Sequence, residues 1–201
     1  MTEKKREIKY MREQELKDFF QEVKSSGNLR DLALFKTMFV LGLRVQETVN
    51  LKLQDVEDYG DCLGVKVHRV KSGVSREYDL NEDTSRLLRR WLKARSKLEN
   101  SGANLFLFPG SEGSRSLSRS TIQKAFKRYA ERAGIRTGEE DFGVHVLRHS
   151  TAIYLLQKGW NLKDIKRRLG HSALASTMVY LELGSPEIKE RQRRISNSFD
   201  I

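Results

Sequence analysis

The chain carries one cysteine in 201 residues, Cys62, so it has no internal disulfide and no multi-cysteine zinc ribbon. Proline is nearly as scarce, with two, and neither a low-complexity segment nor an internal repeat divides the chain. No stretch approaches the roughly 18 consecutive apolar residues that a membrane-spanning helix needs. The opening "MTEKKREIKYMREQE" lacks the apolar run of a secretory signal. Acidic residues are also under-represented, 27 against 38 Lys and Arg, for a formal net charge of +11. These absences predict a cytoplasmic protein with one hydrophobic core and no membrane contact.

The basic excess recurs along the chain. "RSLSRSTIQKAFKRYAERAGIR" (115–136) holds seven Lys and Arg against one Glu. "KDIKRRLGH" (163–171) and "KERQRR" (189–194) are basic as well. One such helix is an ordinary solvated face, whereas three with a strong net charge point to a polyanionic partner. Nucleic acid is the expectation, with Arg115, Arg119, Lys124, Lys127 and Arg128 as candidate contacts.

Hydrophobic periodicity predicts mostly helix. After a basic lead-in over 1–10, "REQELKDFFQEVKSSG" reads as an amphipathic helix stopped by Gly27. "NLRDLALFKTMFVLG" is apolar nearly all round, with Asn28 as cap and Gly42 as stop. "RVQETVNLK" follows as a short helix. The period then changes to two in "CLGVKVHRV" and "SREYDL", separated by "KSGVS", which predicts an antiparallel hairpin with a third strand near "LQDVE". Helices resume with "NEDTSRLLRRWLKARSKL", "SRSTIQKAFKRYAERAG", "HVLRHSTAIYLLQKG", "NLKDIKRRLG" and "LASTMVYLEL", and "NLFLFPG" is a short buried segment. Pro186 opens a last basic helix. The expected fold class is α+β, mainly α-helical, one domain with a small antiparallel sheet.

The start of "HVLRHSTAIYLLQKG" carries His145, Arg148 and His149 on a helix whose remainder is apolar. A zinc protease would have Glu directly after the first His, but Val146 stands there and no carboxylates follow, so no metal site is expected. A phosphate is the better match: Arg148 offers a planar fork of donors, histidine adds another, and helix N-termini favour anions. His149 alone reads as a packed, hydrogen-bonded side chain.

Downstream, "LGHSALASTMVY" places Gly170-His171 nine residues before Tyr180, and upstream "LGLRVQE" places Arg44 directly after an apolar helix. The order Arg44, His145-x-x-Arg148, Gly170-His171, Tyr180 resembles the tyrosine recombinases, or phage-type integrases, from about residue 10 to 185. Within that family a lysine sits on or beside a β-hairpin between the first Arg and the His-x-x-Arg helix. Lys71 in "RVKSGVSREYDL" matches it, with Lys66 and Arg69 as nearby rivals. Glu47, three residues after Arg44, matches an acidic position that would orient that Arg. Val146 stands where the family often has Asp, and Thr48 where Leu is usual.

The resemblance implies a catalytic domain over 11–185 that cleaves and rejoins DNA through a 3′-phosphotyrosine, with Tyr180 as nucleophile. Arg44 and Arg148 would neutralise the scissile phosphate, and His145 and His171 would hydrogen-bond its oxygens, one of them accepting the tyrosine proton. Lys71 would protonate the departing 5′ oxygen, and His149 would support the others. It implies no ATP, no metal and no other cofactor. The partners would be double-stranded DNA carrying a specific site, further copies of the chain in a dimer or tetramer, and an accessory DNA-bending protein. Residues 186–201 would form a C-terminal tail, either a segment exchanged between protomers or a disordered basic tail. The N-terminal core-binding domain of many recombinases is expected to be absent from this sequence, which is then either a catalytic fragment or similar to the single-domain fimbrial-switch invertases of similar length, and localisation is expected at the nucleoid. Two rivals stand beside this reading. One is a helix-turn-helix regulator built on "NLKDIKRRLGHSALASTMVYL", which leaves Arg44, Lys71 and His145-x-x-Arg148 unexplained. The other is a type IB topoisomerase, which shares the site.

Overall fold

The computed structural model describes residues 8–69, 73–98, 105–110, 116–135 and 142–171, together with Thr177 and Tyr180. Within them the chain folds as α1 (Glu13–Ser25), α2 (Leu29–Leu41), α3 (Val45–Asn50), β1 (Val56–Asp58), β2 (Leu63–His68), β3 (Ser75–Asp79), α4 (Glu82–Arg95), α5 (Arg119–Arg132), α6 (His145–Gln157) and α7 (Leu162–Leu169). This is the mainly helical α+β architecture that the periodicity predicts. The predicted helices over "LASTMVYLEL" and after Pro186 fall outside the described residues, apart from Thr177 and Tyr180, which are both helical.

Helix starts follow side-chain chemistry. The side chains of Asn28, Asn81, Ser118 and Asn161 each accept from the amide three residues on, satisfying a donor that has no partner inside the helix. Helices α2 and α7 end on Gly42 and Gly170, both left-handed with φ +57° and +65°.

α2 is the central element and packs against α1, α3, α4 and α6. Its apolar circumference is explained by that position, since Leu34, Phe35, Met38 and Leu41 are all buried. Around it gather Phe19 of α1 and Phe126 and Tyr129 of α5, with ring centroids 5.3 to 6.3 Å apart. Tyr129 donates its hydroxyl to the buried Asp31 at 3.0 Å, so this aromatic core contains no stranded carboxylate at that point. A second apolar cluster joins α6 to α7 through Ile153, Leu156, Ile165 and Leu169, and Ile8 and Tyr10 pack on it.

The sheet is antiparallel in the order β1-β2-β3, with Val56 opposite Val65 and Val65 opposite Tyr78. Leu63, Val65 and Val67 face the core while Lys66 and His68 face out, as a period of two requires. The "NLFLFPG" segment is buried at Leu107 and Phe108 and tied down by Leu107 N–H to Leu51 O (2.8 Å) and Trp91 Nε1 to Leu107 O (3.0 Å).

Phe19 is fully buried and touches aromatic rings from α2 and α5. Phe19→Ala is therefore expected to lower unfolding free energy by about 3–5 kcal/mol in urea titration, with little change in the urea dependence.

Candidate active site

The site grows from the turn between α2 and α3. Gly42 ends α2, and a Cβ there would lie 2.4 Å from Leu169 Cδ2, so the left-handed turn also lets α7 approach. Arg44 then caps α3. Its backbone N–H donates to Glu47 Oε2 at 2.8 Å, and its guanidinium Nη1 donates to Glu47 Oε1 at 2.9 Å. Thr48 braces the same turn by donating Oγ1 to Arg44 O at 3.1 Å, a contact that a leucine could not make.

Glu47 is buried and holds two further guanidinium groups. Arg69 Nη1 lies 2.8 Å from Oε2, and Arg148 Nη1 lies 3.8 Å away. Burial alone would raise the Glu47 carboxyl, but Arg69, the Arg44 amide and Arg148 outweigh it and hold the group below its ordinary value.

The buried arginines also bind the ends of two helices. Arg148 donates Nη1 to Gly42 O and Nη2 to Leu169 O (2.6 Å for the latter). Arg69 Nη2 donates to Leu41 O at 3.2 Å and to Arg168 O. Arg168 in turn donates Nη2 to Val40 O at 2.9 Å. The last carbonyls of α2 and α7, which lack partners within their own helices, are thus satisfied by guanidinium groups. Gly170 makes this possible, because a Cβ there would lie 2.7 Å from Arg69 Cδ. Burial, followed by Arg44, pulls the Arg148 guanidinium down to about 10, which leaves it charged at neutral pH.

Three histidines and Tyr180 stand over this base. His145 opens α6 as an exposed residue, and partial burial, followed by Arg148 and Arg44, lowers its pKa. His171 follows Gly170. It hydrogen-bonds Thr177 Oγ1 through Nδ1 at 2.9 Å and stacks on Tyr180, with ring planes 15° apart. Burial, then Arg148 and Arg44, drives it down to about 3. His149 hydrogen-bonds the Tyr180 hydroxyl through Nδ1 at 2.9 Å, and burial, then Arg148, lowers it to about 4. Tyr180 is 2% exposed. Its burial raises the phenol pKa, while Arg148 and Arg44 pull against that rise.

Arg44, Glu47, Arg148, His149, His171 and Tyr180 are therefore brought together, and His145 lies at their open edge. Lys71 and Arg115 lie outside the described residues. Arg119, Lys124, Lys127 and Arg128 are exposed on α5, where Lys127 pairs with Glu131 and Arg128 stacks on Tyr129. Of the rivals to Lys71, Lys66 faces solvent and Arg69 is buried. Arg69 is the participant that reading the hairpin as a surface element misses. Its signal was parity, since residue 69 shares the inward face of Val65 and Val67. The histidine at the tyrosine hydroxyl is His149, whereas His145 and His171 are the expected acceptors. Arg148 and His149 are adjacent, so one reaches under α6 to the helix ends while the other turns to Tyr180.

An arginine pair is set on a buried carboxylate, with histidines and a sheltered tyrosine above it, an arrangement chemically suited to hold an anion beside a phenol oxygen. The chain belongs to the phage integrase family, whose model matches residues 9–185. The tyrosine recombinase XerC of Corynebacterium glutamicum is 30% identical over 187 residues, 90% of this chain and 57% of that protein. A crystal structure of XerA recombinase superposes with TM-score 0.78 and 27% identity over 92% of this chain and 64% of that one. A crystal structure of XerH site-specific recombinase, bound to palindromic difH substrate as a post-cleavage complex, gives TM-score 0.77 and 26% identity over 92% of this chain and 52% of that one. The chain thus spans between about half and two-thirds of these relatives' lengths.

Removing the Glu47 carboxylate leaves guanidinium groups buried without their counter-charge. Glu47→Ala is expected to cost about 3–5 kcal/mol of stability in urea titration at neutral pH.

His149 and His171 are both depressed in the folded protein, so the unfolded chain binds protons first as pH falls. Stability is therefore expected to decline as pH drops from about 6.5 towards 4, with both groups acting in the same direction. The melting temperature should fall over that range, and less steeply in His171→Asn.

Proposed function

We propose that this chain is the catalytic domain of a site-specific DNA recombinase, over residues 11–185, with Tyr180 as nucleophile. The observation that carries the reading is the Tyr180 hydroxyl, sheltered on its own chain and influenced by Arg148 and Arg44. A phenol needs a reason to react at neutral pH. A phosphodiester held by Arg44 and Arg148 supplies an electrophile whose growing negative charge those cations stabilise more in the transition state than in the ground state. The tyrosine oxygen bonds to phosphorus, the bond to the 5′ oxygen breaks, and Lys71 delivers a proton to that oxygen. His145 and His171 donate to the non-bridging oxygens. The 3′-phosphotyrosine conserves the phosphoester bond, so rejoining to a 5′-hydroxyl needs no ATP.

The roles of the remaining parts follow from charge and position. Glu47 orients Arg44 and keeps the guanidinium cluster from being over-positive. Arg115, Arg119, Lys124, Lys127 and Arg128 contact the DNA backbone, where neutralised phosphates dominate affinity. Two or four copies assemble on a specific double-stranded site, with an accessory DNA-bending protein, and residues 186–201 dock between copies. Such an enzyme works in the cytoplasm at the nucleoid. The solved XerH complex with its difH substrate supports a DNA partner for this chain too.

The test is a nicked suicide DNA carrying the cognate site. Wild type is expected to form a covalent protein–DNA adduct that survives denaturing electrophoresis. Tyr180→Phe should bind the DNA within about twofold of wild type and form no adduct. A Tyr180→Phe variant that still forms adducts would remove Tyr180 as the nucleophile.

A further inference from the structure

The hydroxyl of Tyr180 has one hydrogen-bond partner among the described residues, His149 Nδ1 at 2.9 Å, with the two ring centroids 5.9 Å apart. The other histidines are differently engaged. His171 Nδ1 is committed to Thr177, and its ring lies parallel to the phenol, a stacking arrangement that does not aim a nitrogen at the hydroxyl. His145 is exposed at the beginning of α6, one helical turn before His149.

Resting on the strand-cleavage reading, we infer that His149 is a catalytic residue, the acceptor of the Tyr180 proton. In cleavage the phenolic hydrogen passes to His149 Nδ1 as the tyrosine oxygen bonds to phosphorus. The bond from phosphorus to the 5′ oxygen breaks, its electron pair stays on that oxygen, and Lys71 protonates it. In rejoining, the protonated His149 returns its hydrogen to the tyrosine oxygen as the 3′-phosphotyrosine bond breaks, and Lys71 accepts the proton of the attacking 5′-hydroxyl. No oxidant, metal or further reactant is needed.

The surroundings support this role. The charged and titratable groups that act on His149 are Arg148 and His145 on its own helix, with Tyr180 and His171 facing it from beyond α7, while Arg44 acts on both His171 and Tyr180 and Arg69 on His171. Burial and the Arg148 cation keep the ring neutral at physiological pH, so Nδ1 can accept. A bound phosphodiester would offset Arg148, and the phenol becomes more acidic as its oxygen bonds to phosphorus. The first makes His149 a better base once DNA is bound, and the second drives the transfer as the attack proceeds.

Three substitutions in single-turnover cleavage of the suicide DNA test the role. His149→Asn places an amide oxygen near Nδ1, keeping an acceptor for the hydroxyl but no base, and is expected to slow adduct formation about 100-fold or more while DNA binding and melting temperature hold. His149→Ala should lose at least as much and regain rate with added imidazole. DNA with a 5′-bridging sulfur at the scissile phosphate, whose leaving group needs no proton, should rescue Lys71→Ala and not His149→Asn. A His149→Asn rate within about threefold of wild type, or its rescue by the sulfur substrate, overturns the role of His149. A wild type that forms no adduct overturns the strand-cleavage reading itself and this inference with it, so the two failures are distinct.

Discussion

Burying Glu47 among Arg44, Arg69 and Arg148 is the constraint on which the rest of the site depends. A carboxylate so enclosed is tolerable only with cations beside it, and guanidinium groups so enclosed are tolerable only with acceptors. The protein supplies the second requirement from its backbone. Helices α2 and α7 both stop at left-handed glycines, and their final carbonyls turn towards the same guanidinium groups. Helix termination, side-chain burial and anion recognition are therefore parts of one arrangement. Changing Gly42 or Gly170 would disturb the arginines as surely as changing Glu47.

The arrangement joins segments far apart in sequence. Arg69 leaves the end of β2, Arg44 the start of α3, and Arg148 the first turn of α6, and all meet at the ends of α2 and α7. Arg69 lies two residues before Lys71 in the chain, and its carbonyl accepts from Gly73 N–H at 3.0 Å. The hairpin is thereby anchored to the arginine cluster at its inner end.

Local chemistry made much of this fold readable. Asn28 and Asn81 announced helix starts, Gly42 announced a stop, and the alternation at Val65 and Val67 announced the sheet. These signals depend on neighbours within a few residues, so one sequence carries them. Arg44, Arg148, His171 and Tyr180 were legible through their order and spacing as a motif, and the structure brings them together. What was not legible depends on contacts between distant segments. Parity sets Arg69 on the inward face of the hairpin, but the carbonyl of α7 that it meets there is known only once that distant helix is in place. His149 looks like a packing residue until Tyr180, 31 positions later, arrives at its Nδ1.

The helix ends described above also fix the electrical character of the cluster. Four guanidinium groups, those of Arg44, Arg69, Arg148 and Arg168, face one carboxylate and two helix C-termini, each of which carries roughly half a negative elementary charge. The sum is about two units of positive charge left unbalanced. A phosphodiester carries one negative charge at neutral pH. Without an anion the folded protein sustains a repulsion that any small oxyanion in solution can relieve, so its thermal stability is tied to the composition of the buffer as well as to its own contacts.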